Sequence, residues 1–386
     1  MAPDLFAAAA TLAAVGAHPF TTYPASLAIA RRLHPKPIAR ASSAAPLRAA
    51  LCVSAYNEAG VIRAKAENML LMRAAVPDLD LLIYVDAATD GTDEILREYE
   101  DRIRIVVGTE RHGKTHGMNT LVAATDTDIV IFSDANVMFA PDAVPRLLAD
   151  FADPTVGCVC GHLIYTSEQG STTAAIGSLY WRLEERIKEL ETQTGSTTGA
   201  DGSIFAIRRK LHQSPPPDII DDMFVSLAIL CDGYRVVREP TAVAFEETVS
   251  RPGEELRRKM RIACQAFNVH RLLRPRLRRL SSFDRYKYVS HKLLRWFSGM
   301  FFALAGLAFL GGMIAMGAWS GVFASIGLGL ILLVTGLTLP TSVPGRLLEI
   351  ACAFAATFLG VLWSLRGYRF QTWTPPASAR SGPLHS

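Results

Sequence analysis

Apolar residues in this chain gather at its two ends, and between them short apolar runs alternate with stretches of helical spacing. From Leu5 to Ala30 there is no Asp, Glu, Lys or Arg, and Arg31, Arg32, Lys36 and Arg40 follow at once. About 20 apolar residues span a bilayer, so this stretch predicts an anchor whose C-terminal flank is cytosolic by the positive-inside rule. Its alanines and the His18-Pro19 break make it a weak span. A cleaved signal peptide is the competing reading, but such peptides carry their basic charge ahead of the apolar core, and here it comes behind.

Pro35 to Pro46 reads as a Pro/Ala/Ser linker. Strands are predicted from about Leu47 to Ala55, at Leu79–Val85, at Ile103–Val107 and from Ile129 to its end at Asp134, with helices at Glu58–Met72, after Thr92, and at Lys114–Ala124. Strict alternation of the two predicts a largely parallel, doubly wound α/β sheet. Pro141–Phe151 and Thr173–Glu191 read as helices, Val156–Tyr165 and Ile204–Ile207 as strands, and Gly195–Gly202 as a loop. Asp221-Asp222 opens a helix through Leu230, where acids suit the positive end of the dipole. Tyr234–Val237 and Thr241–Phe245 are the last extended pieces.

Beyond Pro252 the chain is helical and basic, and Ser281–Arg295 reads as an amphipathic segment in a membrane interface. Apolar blocks at Trp296–Met316, Val322–Leu339 and Leu347–Trp363 predict three further spans. If all three cross, Arg366 and Arg369 fall on the non-cytosolic face, so one of the four apolar segments is expected to be interfacial. The expected division is 1–46 anchor and linker, 47–251 α/β domain, 252–295 basic and interfacial helices, and 296–386 membrane region and tail.

Composition changes this picture little. Half of the 386 residues are hydrophobic, and the net charge is +4. The basic run Arg257 to Arg279 abuts the C-terminal apolar block, which favours lipid headgroups or phosphates over nucleic acid as its partner. The six cysteines form no C-x-x-C pair, so neither a disulfide frame nor a zinc site is expected.

Candidate chemistry gathers at strand ends. The buried-looking run Ile129-Val130-Ile131-Phe132 stops at Ser133-Asp134-Ala135-Asn136, and ligands of open α/β sheets sit beyond the carboxyl ends of strands. A carboxylate and an amide two residues apart offer hard oxygen ligands for Mg²⁺ or Mn²⁺, although D-x-N alone is more often an Asx turn. Tyr56 could stack on a base, Asp86 could accept from base or ribose, and Lys114 could reach the nucleotide. Gly108–Thr115 also satisfies the P-loop pattern G-x-x-x-x-G-K-[ST] between a strand and a helix. Against an NTPase, two strand–helix units precede it, their polar ends would be left without a role, and the loop centre Glu110-Arg111-His112 is bulky and carries an acid.

Jointly, Ser54-Ala55-Tyr56-Asn57-Glu58, Asp86 with Asp90-Gly91-Thr92, Arg111-His112-Gly113-Lys114 with Asn119, Ser133–Asn136, Thr198-Gly199-Ala200-Asp201-Gly202, Asp221-Asp222 and Ser290–Trp296 resemble the membrane-bound glycosyltransferases of family 2. These are GT-A enzymes related to cellulose, chitin and hyaluronan synthases. The resemblance runs from about Cys52 to Gln265. It implies a Rossmann-like GT-A domain, a nucleotide-sugar donor, usually UDP-linked, a Mg²⁺ or Mn²⁺ ion at Asp134 and Asn136, and inversion with Asp222 as general base. It places Tyr56, Glu58, Asp86, Lys114 and Asp134 on the donor side, and Gly199, Asp201, Asp221, Arg258, Arg261 and Gln265 on the acceptor or diphosphate side. The expected acceptor is lipid-linked or a glycan, the expected location a multi-pass cell-membrane protein with its catalytic domain in the cytosol. A catalytically inactive sugar-nucleotide binder is the other alternative. Three departures stand out: Asn136 replaces the second Asp of D-x-D, Ala87-Ala88 thins the acidic cluster, and Gln265 lacks the Arg and Trp of Q-x-x-R-W. The last favours one sugar transfer, or a short glycan, over polymer synthesis.

Overall fold

The computed structural model describes residues 1–39, 47–166, 172–247 and 252–372. One eight-stranded sheet forms its centre, in the order β3-β2-β1-β4-β7-β6-β8-β5. The strands are β1 Ala49–Ala55, β2 Leu79–Asp86, β3 Arg104–Gly108, β4 Ile129–Asp134, β5 Val137–Phe139, β6 Val156–Thr166, β7 Ile204–Arg208 and β8 Arg235–Glu247. Along β4 the side chains alternate between two core faces, as strand pleating requires. Ile129 and Ile131 join Leu51, Val53 and Ile83 on one face, while Val130 and Phe132 join Cys52, Leu82 and Phe205 on the other.

β1 to β4 are mutually parallel, so Ala55, Asp86, Gly108 and Asp134 all end at one edge of the sheet. Beyond β4 the sheet turns mixed. β7 runs antiparallel to β4 and β6, β6 is parallel to β8, and β5 is antiparallel to β8. The two extended pieces predicted after Tyr234 are one strand, β8, whose register against β6 shifts between Cys160 and His162.

The helices are α1 Ala2–Ala17, α2 Thr22–Leu33, α3 Ile62–Ala75, α4 Thr92–Leu96, α5 Lys114–Ala123, α6 Ala143–Ala149, α7 Thr172–Gln193, α8 Asp221–Cys231, α9 Pro252–Leu277, α10 Ser282–Tyr288, α11 Leu294–Ala315, α12 Trp319–Thr338 and α13 Val343–Leu365. The expected N-terminal span is a bent pair, with α1 and α2 meeting at 52° around a turn that contains Pro19. Most of the predicted linker, 40–46, lies outside the described residues. Ser281–Arg295, expected to be an amphipathic segment in the interface, is helical and packs one face on the protein. It forms α10 and a π-helical turn, Val289–Leu293, that leads into α11 and buries Lys287, Tyr288, Ser290 and His291 against the protein.

Three helical stretches, Ser282–Ala315, Trp319–Thr338 and Val343–Leu365, are long and apolar enough to cross a membrane, or four if the bent pair counts as one. The chain after α13 returns to the sheet domain. Arg369 pairs with Asp218 at 2.7 Å, Gln371 Nε2 donates to the His112 carbonyl at 3.2 Å, and Gln265 Nε2 donates to the Phe370 carbonyl at 3.1 Å. Any membrane placement must keep residues 366–372 on the side of the sheet domain.

Candidate active site

The parallel strand ends and the N-termini of α5 and α8 face one another. Lys114 opens α5 and places its ammonium 2.5 Å from Asp134 Oδ1 at the end of β4. α5 also sets the approach to α8. Thr115 Oγ1 donates to the Ile219 carbonyl at 2.8 Å, and Asn119 Nδ2 donates to the Pro215 carbonyl at 3.0 Å. Asp221 and Asp222 then stand in the first turn of α8, and the Met223 N–H donates to Asp222 Oδ1 at 2.5 Å. Gly202 permits this position, because a Cβ there would lie 2.6 Å from Asp222 Oδ2. Ser226 Oγ ties loop to helix, donating to the Asp222 carbonyl at 2.6 Å and accepting from the Ala200 N–H at 3.1 Å.

Burial sets the electrostatics, and neighbouring charge adjusts them. Asp222 is pushed up to about 7, first by burial and then by the adjacent Asp221 carboxylate, with Lys114 opposing. Burial works against the Lys114 ammonium, yet Asp134, Asp221 and Asp222 together hold it above the usual lysine range. Asp221 Oδ2 is buried without a hydrogen-bond partner among the described residues.

The donor-side residues differ in what already engages them. Tyr56 presents a ring to the Arg111 guanidinium, centred 3.7 Å away. Glu58 begins the turn into α3, its N–H donating to Thr92 Oγ1 at 2.9 Å. Asp86 is buried, and its two oxygens accept from the His112 and Gly113 N–H groups, each at 2.8 Å. That last geometry answers the P-loop pattern. Backbone donors that would cradle a phosphate are turned onto a carboxylate of the neighbouring strand, and a phosphate there would meet Asp86. Asn57 and Ala87, at the ends of β1 and β2, take φ of 52° and 50°, a conformation few non-glycine residues adopt outside functional turns.

On the other side, Asp201 lies 3.8 Å from Lys188, and Gly199 takes φ of 150° beside Lys292. Arg258 is held by Glu255 at 3.0 Å. Arg261, whose guanidinium donates to Gln265 Oε1 at 3.1 Å, is pushed down to about 10 by burial and then by Arg258. Gln265 thus spans Arg261 and the returning tail.

Two residues that sequence reasoning passed over belong to this edge. Glu246, at the end of β8, accepts from Asn136 Nδ2 at 3.1 Å and is pushed up to about 7 by burial and then by Asp134. Lys65, fully buried on α3, donates to Ser133 Oγ at 2.7 Å and to the Val137 carbonyl at 2.5 Å, gripping the segment that carries Asp134. The only signal for Lys65 was a charge on the apolar face of an otherwise regular helix. Asp134 and Asn136 bring a carboxylate and an amide oxygen to this strand end, hard donors of the kind a divalent cation takes, and Lys114 already places positive charge against Asp134.

Residues 50–214 match the family model described as glycosyl transferase family 2. An N-acetylglucosaminyltransferase of Sinorhizobium fredii is 24% identical over 265 residues, 63% of this chain and 62% of that protein. An O-antigen chain rhamnosyltransferase of Salmonella anatum is 24% identical over 196 residues, 48% of this chain and 62% of that protein. The chain thus spans about 60% of the length of these curated relatives. Among solved structures, the mannosyltransferase PcManGT from Pyrobaculum calidifontis, in complex with GDP-Man and Mn²⁺, superposes with a TM-score of 0.71 at 23% identity, over 94% of this chain and 99% of that one. Residues 50–214, with the strand-end motifs they contain, match glycosyl transferase family 2, and the fold around them is GT-A-like, with apolar helices in its C-terminal part.

Proposed function

We propose that this protein moves a single sugar from a nucleotide-activated donor, UDP-linked in our reading, to a hydroxyl of a lipid-linked or glycan acceptor at the cytosolic face of a membrane, inverting the anomeric carbon. The observation that carries this reading is Asp222: a carboxylate lifted toward neutrality, at a helix N-terminus, facing Lys114 and the strand end with Asp134. A group with these properties is suited to general-base work near pH 7. Asp222 takes the acceptor proton as that oxygen attacks the anomeric carbon. The new C–O bond forms as the bond to the diphosphate oxygen breaks on the opposite face, and no protein nucleophile takes part.

A divalent cation held by Asp134 and Asn136 would supply positive charge beside the departing diphosphate. Lys114 exchanges its contact with Asp134 for a donor phosphate, and Arg258 and Arg261 on α9 add fixed positive charge. Tyr56 receives the base in place of Arg111. Asp86 keeps the 109–113 loop in shape and has lone pairs left for a ribose or base donor. Glu58 supports the donor side, and Gly199, Asp201, Asp221 and Gln265 shape the acceptor side. In this scheme 47–251 is the catalytic unit, 252–295 its basic support, and 1–46 and 296–386 the membrane parts.

Purified protein should be stabilised against heat by a nucleotide sugar plus Mn²⁺, tested across UDP-, GDP- and dTDP-sugars, and should release nucleoside diphosphate when acceptor is present. Stabilisation by ATP alone, lost in Lys114→Ala, would overturn the proposal in favour of an NTPase. Sugar-nucleotide binding without any diphosphate release would leave an inactive binder.

A further inference from the structure

The second Asp of D-x-D is Asn136 here, so the motif offers a cation one negative charge instead of two. An amide also has two unlike ends, and only Oδ1 can ligate a hard cation; Nδ2 carries donors and would repel it. Whatever fixes which end of Asn136 faces the site therefore decides whether the motif works.

Glu246 meets both needs. It lies on β8, paired with Val137 of β5, which brings its side chain beside the turn 134–136. Its Oε1 accepts from Asn136 Nδ2 at 3.1 Å. Rotating the amide by 180° would set its oxygen against the Glu246 carboxylate at that distance, so the ionised acid selects the orientation with Nδ2 toward it. The same side chain sets a second acid beside the motif, where Asn136 stands in place of the second Asp.

We infer that Glu246 is a positioning residue of the cation site, fixing Asn136 with its amide oxygen toward the ion and restoring the charge of a two-acid motif. Outer partners of this kind typically change metal affinity by about 10- to 100-fold when removed. The inference rests on the metal-assisted reading given above, and the experiment separates the two.

Mn²⁺ binding to the full-length protein in detergent or nanodiscs is titrated by the loss of the free-ion paramagnetic resonance signal, with UDP or GDP present and without acceptor. Wild type should bind Mn²⁺, and Glu246→Gln should bind it about tenfold or more weakly while its metal-free melting temperature stays close to wild type. The double variant Asn136→Asp/Glu246→Gln moves the charge onto the motif and keeps a donor–acceptor pair with the roles exchanged. It should regain most of the lost affinity, which a merely structural Glu246 would not produce. Glu246→Gln binding Mn²⁺ like wild type, or a double variant no better than Glu246→Gln, overturns the inference and leaves the metal-assisted reading in place. A wild-type chain that takes up no Mn²⁺ with either nucleotide overturns both.

Discussion

Glu184, Glu185 and Glu191 on α7 and Asp222 and Glu246 at the candidate site are all acids withdrawn from water, yet their neighbours set them in opposite directions. Glu191 accepts from Thr197 Oγ1 at 2.8 Å, from the Thr198 N–H at 3.1 Å and from the Tyr23 hydroxyl, and its Oε1 lies 2.9 Å from His291 Nδ1. Glu184 faces His291 at 3.1 Å, Lys292 at 3.7 Å and Arg295. Glu185 faces His162 at 2.6 Å, Lys188 at 3.4 Å and Arg238. Burial alone would raise all three, but these partners overcome it: Glu184 is held well below the usual carboxylate range, and Glu185 and Glu191 at about 2. Asp222 and Glu246 are half-buried, less completely withdrawn than Glu184 and Glu191, have few such partners, and are both pushed up to about 7.

The difference separates holding from reacting. On α7 every oxygen has a partner, and the cluster ties α2 and the helix entering the membrane region to the loop that carries Gly199 and Asp201. At the candidate site each acid has fewer such contacts: Asp222 Oδ1 accepts from the Met223 N–H and Glu246 Oε1 from Asn136, while Asp221 Oδ2 has no partner among the described residues. Acids that must accept a proton or share a cation cannot already be satisfied.

The largest effect expected from this contrast is on turnover. Asp222→Asn keeps shape and loses the proton acceptor, so transfer should fall by about 10²- to 10⁴-fold while donor binding barely moves. Single-turnover transfer and donor thermal shift measured on one preparation read the two quantities. Asp221→Asn is the internal control and should retain more activity than Asp222→Asn. The reverse ranking would move the base to Asp221, and full activity in both would end the one-base mechanism.

Stability should respond the other way round. Glu191→Gln removes the carboxylate that faces the buried Lys287 and accepts from Thr197 and Tyr23, and breaking a buried ion pair from one side costs about 3–5 kcal/mol, seen as a markedly lower melting temperature. Asp222→Asn removes a charge that burial already disfavours, so its melting temperature should equal or exceed that of wild type. If Glu191→Gln melts like wild type, the α7 cluster is not what joins the membrane helices to the sheet domain.

How much of this was legible in the chain follows from how local each feature is. The parallel half, β1 to β4, showed because each strand is a short apolar run that stops at its own polar residue, and Asp134, Asp86 and Tyr56 sit at those stops. The order β7-β6-β8-β5 did not show, because which strand neighbours β4 depends on pairings distant in sequence. Glu246 was hidden for the same reason: nothing near it in sequence points to Asn136. Within the predicted helix Thr173–Glu191 nothing sets the α7 acids apart from its other charges, and only the fold supplies Arg238, His291 and Arg295 opposite them. The gap between Gly202 and Asp222 is likewise a property of the packed loop.

The smallest expected effect is on the pH dependence of stability, and its sign tests the comparison as a whole. A carboxyl whose folded pKa is raised binds more protons in the native state than in the unfolded one over the interval between the two values, so stability falls as pH rises through that interval. Asp222 and Glu246, both at about 7, act this way from about 4.5 up to about 7. A carboxyl whose folded pKa is lowered does the reverse. Glu185 and Glu191, both at about 2, add stability that is present above their unfolded values near 4.5 and is lost as pH falls toward 2. Thermal unfolding between pH 3 and 8 should therefore show a shallow maximum near pH 5, with a gentle decline on the alkaline side and a steeper one on the acid side. Transfer needs Asp222 as its base and should drop about tenfold per pH unit below 7, more steeply where Glu246 also takes up its proton, so the protein is expected to be most stable where it is nearly inactive. In Asp222→Asn the alkaline decline should become shallower and the acid decline stay as it was. An unchanged alkaline decline would show that Asp222 is not lifted in the folded protein, and that the contrast with α7 does not extend to the residue assigned as base.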